Sequence, residues 1–258
     1  MESLRIGRIE YANSTPIFKA LGESGRMSGF EIVKGVPTEL SRLLFDGKID
    51  ISPTSSFEYL KNPDDYGFLP DLSISSIGEV KSVLLFSSRP LEELSGAKIH
   101  LSPDSASSVA VLRIILERMK GLAPLYVEEE SGADAALLIG DRALRVAREG
   151  GWPFVYDLGS LWLELTGNPF VFALWIARRD VFERKREAFS ALYRLLVAAR
   201  QRAYRSFAKY AACESSALGM GEEELISYWQ TLSYDLTAWH LCGLGLFAAQ
   251  AHSLGLIG

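Results

Sequence analysis

A carboxylate, an amide and two aromatic rings lie next to two apolar segments in the middle of the chain. Residues 136–140 form an apolar run that predicts a buried strand, and Asp141 follows it directly. Asn168 precedes a second apolar run that begins at Phe170, and Trp162 lies in the segment before it. Because open α/β sheets bind ligands at the carboxyl ends of their strands, these side chains are candidates for one cleft.

Each of these candidates also has a purely structural interpretation. Asp141 suits an acid, a base or a polar anchor, and it equally suits the cap of the next helix. Trp162 and Phe170 suit the wall of a pocket for a planar ring, although aromatic residues beside a strand are more often core residues.

Asn13 and Ser14 follow the first predicted strand and precede Pro16, a residue suited to the first turn of a helix. The Asn13 amide is a candidate donor to an anionic ligand in the cleft, with Ser14 beside it. The alternative is a helix cap that satisfies free backbone N–H groups.

Hydroxyl side chains mark two predicted helix starts and one apolar strand. They are Thr54, Ser55 and Ser56 at the first helix, Ser105, Ser107 and Ser108 at the second, and Ser82 within the run VKSVLLF. Helix starts present backbone N–H groups to anions, so two of them facing one cleft would suit a small-molecule dicarboxylate. Ser82 must face the cleft or find a buried partner.

Composition and net charge argue against several classes of partner. The chain has 258 residues, 48% of them hydrophobic, and a net charge of −5, which argues against a nucleic-acid partner. No uncharged apolar run is long enough to span a bilayer, so no membrane partner is expected. The first residues resemble no secretory signal, so we expect a cytoplasmic protein. Nothing in the sequence indicates an oligomeric state.

Neither a metal nor an organic cofactor is predicted. The two cysteines, Cys213 and Cys242, lie far from any metal-ligand spacing and are interpreted as free thiols. No cluster of His, Cys and carboxylate residues has the spacing of a metal site, and no glycine-rich phosphate loop is present.

Strand-like and helix-like segments alternate, which predicts an α/β fold with a largely parallel sheet. Strands are predicted at 5–9, 30–35, 48–51, 82–87, 98–101, 124–127, 136–140, 154–157 and 170–176, and helices at 15–22, 38–46, 105–120 and 141–149. After residue 178 the pattern is almost wholly helical. An apolar stripe from Phe182 to Phe207 predicts one long helix there.

Five ordered blocks resemble the chorismate dehydratase family of the futalosine route to menaquinone. They are GRIEYANSTPI (7–17), GKIDISPTSSFEYL (47–60), GEVKSVLLFS (78–87), LSPDSASSVAVLRIIL (101–116) and the stretch from LLIGDRAL to TGNPFVFALW (137–175). The family's usual Tyr-Leu-Asn-Thr motif is Tyr11-Ala12-Asn13-Ser14 in this chain, which keeps the asparagine.

The resemblance implies a two-lobed fold like that of type II periplasmic binding proteins, with the ligand cleft between the lobes. Residues 1–85 and 178–258 would form a discontinuous first lobe, and residues 88–168 would form the second. The strands near 82–87 and 170–176 would cross between them.

The resemblance also implies the function. It predicts a lyase that eliminates water from chorismate to give 3-[(1-carboxyvinyl)oxy]benzoate, with Asn13, Ser82 and Asp141 as the catalytic candidates. The base is left open between Asp141 and a carboxylate of the substrate. Two alternatives are a solute-binding protein for an organic anion and the sister 1,4-dihydroxy-6-naphthoate synthase.

Overall fold

The computed structural model describes residues 3–258, which form two β-sheets with helices packed around them. The strands are β1 (Leu4–Ile9), β2 (Phe30–Gly35), β3 (Ile51–Ser55), β4 (Tyr66–Ser76), β5 (Val83–Ser87), β6 (Lys98–His100), β7 (Leu125–Val127), β8 (Ala135–Ile139), β9 (Phe154–Asp157), β10 (Phe170–Arg178) and β11 (Leu232–Leu236). The helices are α1 (Thr15–Gly22), α2 (Pro37–Phe45), α3 (Ser56–Lys61), α4 (Ala106–Arg113), α5 (Gly140–Glu149), α6 (Leu158–Thr166), α7 (Arg179–Arg184), α8 (Arg186–Arg205), α9 (Phe207–Leu218), α10 (Glu222–Thr231) and α11 (Ala238–Ser253).

Three tighter or wider turns complete the secondary structure: 3₁₀ turns at Ala12–Ser14 and Leu91–Glu93, and a π-helical turn at Ile114–Met119 that continues α4. Within residues 3–258, no helix combines the length and apolar character needed to cross a membrane.

The first four strands belong to one sheet, the next five form the second sheet, and the last two return to the first sheet. The first sheet has the order β11-β4-β10-β3-β1-β2, and the second has the order β7-β6-β8-β5-β9. This arrangement confirms the predicted α/β class with two parts. Most strands of each sheet run in one direction, and the exceptions are β10 and β11 in the first sheet and β5 in the second, which run antiparallel to their neighbours.

The two strands that were predicted to cross between lobes each stay within one sheet. β5 pairs with β8 and β9, and β10 pairs with β3 and β4. Their long apolar runs therefore reflect central strands that are covered on both faces, which is the usual cause of such runs. The chain passes between the sheets at residues 77–82 and again at 158–169.

One half-buried carboxylate joins these two passages. Asp157, at the end of β9, accepts hydrogen bonds from the backbone N–H groups of Val80 and Lys81 and from that of Ser160 in α6. Burial raises the pKa of Asp157 although these donors oppose the shift. These hydrogen bonds hold residues 80–81 of the first passage next to the start of the second passage.

The sequence pattern missed β4 and β11, which are paired with each other. Pro70, Asp71 and three serines make the segment of β4 look like a loop. Inside the sheet, the Oγ atoms of Ser73 and Ser75 donate to backbone oxygens of β11, which removes the cost of burying them. Asp71 adopts φ +63° where the pairing of β4 with β10 shifts its register between Phe68 and Ser73.

The predicted long helix after residue 178 is three helices, α7, α8 and α9. Breaks at Lys185 and Ser206 change the direction of the chain. The stripe is buried along α8 from Phe189 to Ala203, where α8 packs on α1, whereas Phe182 lies on α7 and is partly exposed.

Asp50, just before β3, joins the C-terminal helices to the first sheet. Its carboxylate is 2% exposed and accepts hydrogen bonds from the backbone and side chain of Arg5 and from Lys185 Nζ at 3.2 Å. Burial works to raise the pKa of Asp50, but the donors from Arg5 and Lys185 together hold it below the ordinary 3.8.

We predict that Asp50→Asn lowers the free energy of unfolding by about 2 kcal/mol near neutral pH, because hydrogen bonds to a buried charge are lost. A carboxyl whose folded-state pKa is lowered stabilises the fold above its unfolded pKa and loses that effect as the pH falls. The difference between wild type and Asp50→Asn should therefore shrink below pH 3.8, as urea unfolding at several pH values would measure.

Asp46→Asn is the matched control, since Asp46 pairs with Lys48 at the surface and such pairs contribute less than about 1 kcal/mol. Equal losses for the two variants, or a loss for Asp50→Asn that does not change with pH, would contradict the assignment.

Candidate active site

A cavity lies between the two sheets. Its wall combines the ends of β1 and β3 and part of β10 with residues of β5, β8 and the start of α4. The polar side chains of the wall are Tyr11, Asn13, Ser55, Ser82, Ser105 and Ser108, and the other wall residues are apolar. The strands of both sheets thus direct hydroxyl and amide groups into one apolar space.

This cavity is lined without formal charge. Among residues 3–258, no Asp, Glu, His, Lys or Arg lies in its wall. Elsewhere in the same residues, no group of three or more His, Cys, Asp and Glu side chains has the geometry to hold a metal ion. The chemistry available to the wall is therefore neutral hydrogen bonding, which is strong where water is excluded.

Asn13 lies in the wall with its side-chain oxygen unused. Its backbone oxygen accepts a hydrogen bond of 2.7 Å from the Tyr234 hydroxyl, which holds the 3₁₀ turn in place. Its Oδ1 is buried and has no hydrogen-bond partner among the residues described. Buried polar atoms are nearly always satisfied, so this oxygen is available to a donor group of a ligand. The Nδ2 atom of the same amide makes no hydrogen bond among the residues described and is the group that can donate to a ligand oxygen.

Ser82 lies where the chain enters β5, and it is 3% exposed. Its backbone oxygen accepts the N–H of Gly140 at 2.8 Å, and its Oγ lies 2.9 Å from the hydroxyl of Tyr228. Both interpretations from the sequence hold together, because Ser82 has a buried partner and also faces the cavity.

Asp141 lies outside the cavity wall. Its Oδ1 accepts the backbone N–H of Ala12 at 2.9 Å, so it joins α5 on the second sheet to the 3₁₀ turn that follows β1. Burial raises the pKa of Asp141, and the hydrogen bond from Ala12 opposes that shift. Of the roles considered from the sequence, this geometry fits the polar anchor.

The serines of the two helix starts meet each other rather than standing on opposite sides of the cleft. The Oγ atoms of Ser55 and Ser107 are 2.6 Å apart, and Ser107 Oγ donates to the Phe172 backbone oxygen at 2.9 Å. Ser56 Oγ donates to the Val171 oxygen at 2.6 Å. Ser56 and Ser107 are fully buried in this seam, so of these three serines Ser55 alone lines the cavity.

Ser105 and Ser108 do line the cavity, at the start of α4. Ser105 caps this helix, because its Oγ accepts the Ser108 N–H at 3.3 Å, and the two hydroxyl oxygens are 2.9 Å apart. The N–H groups of Ser107 and Ser108 in this first turn are thus both bonded, to Ser55 Oγ and to Ser105 Oγ.

The hydroxyl groups of Ser14 and Thr54 donate to backbone oxygens instead. Ser14 Oγ donates to the Ile9 oxygen at 2.5 Å and is buried. Thr54 Oγ1 donates to the Ser52 oxygen at 3.3 Å and lies beside a neighbouring groove, outside the cavity wall.

The structure also places Trp162, Phe170 and Asn168 outside the cavity. Trp162 and Phe170 are core residues with ring centroids 5.3 Å apart, and Trp162 Nε1 donates to the Pro169 oxygen at 3.2 Å. The Asn168 amide closes a turn by donating to the Thr166 oxygen at 2.7 Å. The aromatic wall that the sequence predicted from these residues is absent because β10 turns Phe170 into the core, whereas Phe172 lines the cavity.

Tyr11 is a wall residue that the sequence reasoning missed, although it belongs to the same motif as Asn13. Burial, with Asp104 and Asp141 nearby, raises the pKa of Tyr11 to about 12. The phenol is therefore protonated at neutral pH and can donate a hydrogen bond. An aromatic residue two positions before a candidate amide, at a strand end, was the signal available.

Residues 4–253 match the sequence model of a protein family described as menaquinone biosynthesis. The chain belongs to this family. It is 35% identical to the chorismate dehydratase of Thermus thermophilus over 272 residues, an alignment that covers 97% of this chain and 95% of that protein.

Several solved structures share the fold of this chain. A protein from Archaeoglobus fulgidus superposes with a TM-score of 0.71 at 17% identity, covering 99% of this chain and 98% of that one. The periplasmic aliphatic sulphonate binding protein of Escherichia coli gives 0.67 at 16% identity, covering 100% and 89%. The predicted periplasmic-binding-protein-like fold is confirmed.

Gly140, in the block LLIGDRAL, sets how closely Tyr11 approaches α5. Gly140 has φ +60°, and a Cβ built there would lie 2.9 Å from Tyr11 Cδ2. The glycine is therefore required twice, once for its backbone conformation and once for the aromatic ring that rests on it.

We predict that Gly140→Ala destabilises the protein by more than the about 1–2 kcal/mol expected for a left-handed conformation alone, because the Tyr11 ring must also move. Gly132→Ala is the matched control, since Gly132 has φ +78° and open space around its Cβ position. Chemical denaturation of both variants tests this prediction, and similar losses would show that the ring contact contributes nothing.

Proposed function

We propose that this chain is a chorismate dehydratase, a hydro-lyase that converts chorismate to 3-[(1-carboxyvinyl)oxy]benzoate and water. The observation that carries the proposal is the similarity to the Thermus thermophilus chorismate dehydratase over nearly the whole of both chains. The cavity supports it, because an apolar space with neutral donors suits a ring that carries carboxylates.

The reaction needs little from the protein beyond position and hydrogen bonds. The proton leaves C3 of the ring, the electron pair of that bond becomes the third ring double bond, and the C4–oxygen bond breaks. Since C3 is vinylogous to the ring carboxylate, negative charge develops on that carboxylate in the transition state. Aromatisation supplies the driving force.

We propose that Asn13 and Ser82 donate hydrogen bonds to the ring carboxylate. Both lie in the cavity wall, and both are neutral donors. Donors already fixed where charge develops stabilise the transition state without reorganisation. We propose that the hydroxyl groups of Ser105 and Ser108, which lie in the same wall, hold the carboxylate of the enolpyruvyl group.

We infer that the base is the enolpyruvyl carboxylate of the substrate. Within residues 3–258, the wall contains no carboxylate, imidazole or amine to take the C3 proton, and Asp141 is engaged with Ala12. The enolpyruvyl group is attached to C3, so its carboxylate is within reach. The acid so formed can pass the same proton to the departing hydroxyl, which leaves as water.

The wider setting of the reaction is part of the proposal. The family described as menaquinone biosynthesis and the motif resemblance together support a step in the futalosine route, carried out in the cytoplasm. We also propose that the two sheets belong to lobes that close over the dicarboxylate, because the cavity wall draws on both.

We predict that purified protein consumes chorismate and forms a new aromatic product that retains the enolpyruvyl ether, as chromatography with mass detection would show. Loss of pyruvate or rearrangement of chorismate would point to a different chemistry. A ligand that raises the melting temperature and is recovered unchanged would mean a binding protein, the principal alternative.

We predict that Asn13→Ala lowers kcat/KM by about 100- to 1,000-fold, the usual cost of removing one fixed donor from a developing oxyanion. Its free energy of unfolding should change by less than about 0.5 kcal/mol or rise, because the side-chain oxygen has no partner among the residues described.

Asn62→Ala is the control, since the Asn62 amide donates only to the Glu58 oxygen at an exposed helix end. Wild-type activity in Asn13→Ala, or an equal loss in Asn62→Ala, would remove Asn13 from the proposed mechanism.

A further inference from the structure

Within residues 3–258, the one hydrogen bond of the Tyr228 hydroxyl joins it to Ser82, a residue of the cavity wall. Tyr228 lies on α10, is 1% exposed, and has its hydroxyl 2.9 Å from Ser82 Oγ. It is absent from the cavity wall and instead borders a separate groove, which Glu79 and Arg148 also line. The polar contact of Tyr228 with the cavity wall is therefore through Ser82.

The hydroxyl proton of Tyr228 has a single acceptor. Among residues 3–258, the phenol makes no hydrogen bond other than the one to Ser82 Oγ. A buried hydroxyl hydrogen without an acceptor is costly, so Tyr228 donates and Ser82 accepts. Burial raises the pKa of Tyr228, which keeps this donor protonated.

The direction of that bond decides where the Ser82 proton points. A serine hydroxyl has one hydrogen and two lone pairs, and Tyr228 occupies one of the lone pairs. Ser82 makes no other side-chain hydrogen bond within the described residues, so its hydrogen is left for the cavity it lines.

We propose that Tyr228 is a positioning residue that holds the Ser82 hydroxyl as a hydrogen-bond donor to the substrate carboxylate. This inference rests on the proposed function. It adds that the orientation of Ser82 is set by a residue some 146 positions away in the chain.

Two neighbouring aromatic donors act on the other side of the cavity. Trp229 Nε1 donates to the Ala12 oxygen at 2.9 Å, and the Tyr234 hydroxyl donates to the Asn13 oxygen at 2.7 Å. The segment 228–234 thus braces both cavity segments that carry the proposed donors. Tyr228 differs from the other two because it bonds a side chain that faces the ligand.

The test is a double-mutant cycle of Tyr228→Phe and Ser82→Ala, with chorismate as the substrate. Tyr228→Phe should lower kcat by about 10- to 100-fold, the cost typical of losing a hydrogen bond that orients a functional group, with KM changed less than about threefold. In the Ser82→Ala background the same substitution should have no further effect, because there is no hydroxyl left to orient.

Tyr210→Phe is the matched control, since Tyr210 is equally buried and donates to Glu23 Oε2 at 3.0 Å, away from the cavity. Rates are compared below the lowest melting temperature of the set, as measured by circular dichroism. Replacing Tyr228 by 3-fluorotyrosine keeps the ring and the donor, and should keep kcat near the wild-type value.

Wild-type kcat in Tyr228→Phe, or the same fold-loss with and without Ser82, would overturn the proposal. So would a loss with 3-fluorotyrosine as large as that with Phe, which would indicate packing alone. If wild type makes no product, the proposed function fails by itself. The same four proteins are then compared by the rise in melting temperature that chorismate produces. If the two substitutions reduce this rise additively, the role of Tyr228 is overturned.

Discussion

The hydrogen bond from the Ala12 N–H to Asp141 joins the two sheets at the edge of the cavity, and the site depends on this kind of link. Apolar side chains of both sheets share one core, but apolar contact has no preferred direction, so it defines the relative position of the sheets only weakly. Short polar links define it instead: Asp141 to Ala12, Ser55 to Ser107, and Asp157 to the backbone of Val80. Because hydrogen bonds are directional, they align the sheets more closely than apolar contact does.

A cavity between two such sheets can exclude water while offering only neutral donors. No charged side chain lies in the wall among residues 3–258, and the phenol of Tyr11 stays protonated because burial raises its pKa. A neutral wall does not compete with the substrate for protons. In the proposed reaction the carboxylates of the substrate would then be the charged groups of the complex, and the developing charge would meet fixed dipoles in a medium of low dielectric constant.

The C-terminal segment connects this site to the rest of the fold. After three helices, the chain returns through α10 and β11 to the first sheet, where β11 pairs with β4. Trp229 and Tyr234 then bond the backbone of the 3₁₀ turn, and Tyr228 bonds Ser82. Aromatic residues are suited to this position, because their rings fill the core while one polar atom reaches the site.

The sequence by itself determined the α/β class, most strands and the family, because alternating apolar segments and ordered motifs are local properties. It also pointed to Asn13, Ser82 and Ser105, which lie in the wall. Only the tertiary structure decided that Phe170 turns into the core, that Ser107 closes a seam and that Tyr228 lies behind Ser82. Those outcomes depend on which face of a strand is covered and on contacts between residues distant in the sequence. Local sequence patterns determine neither.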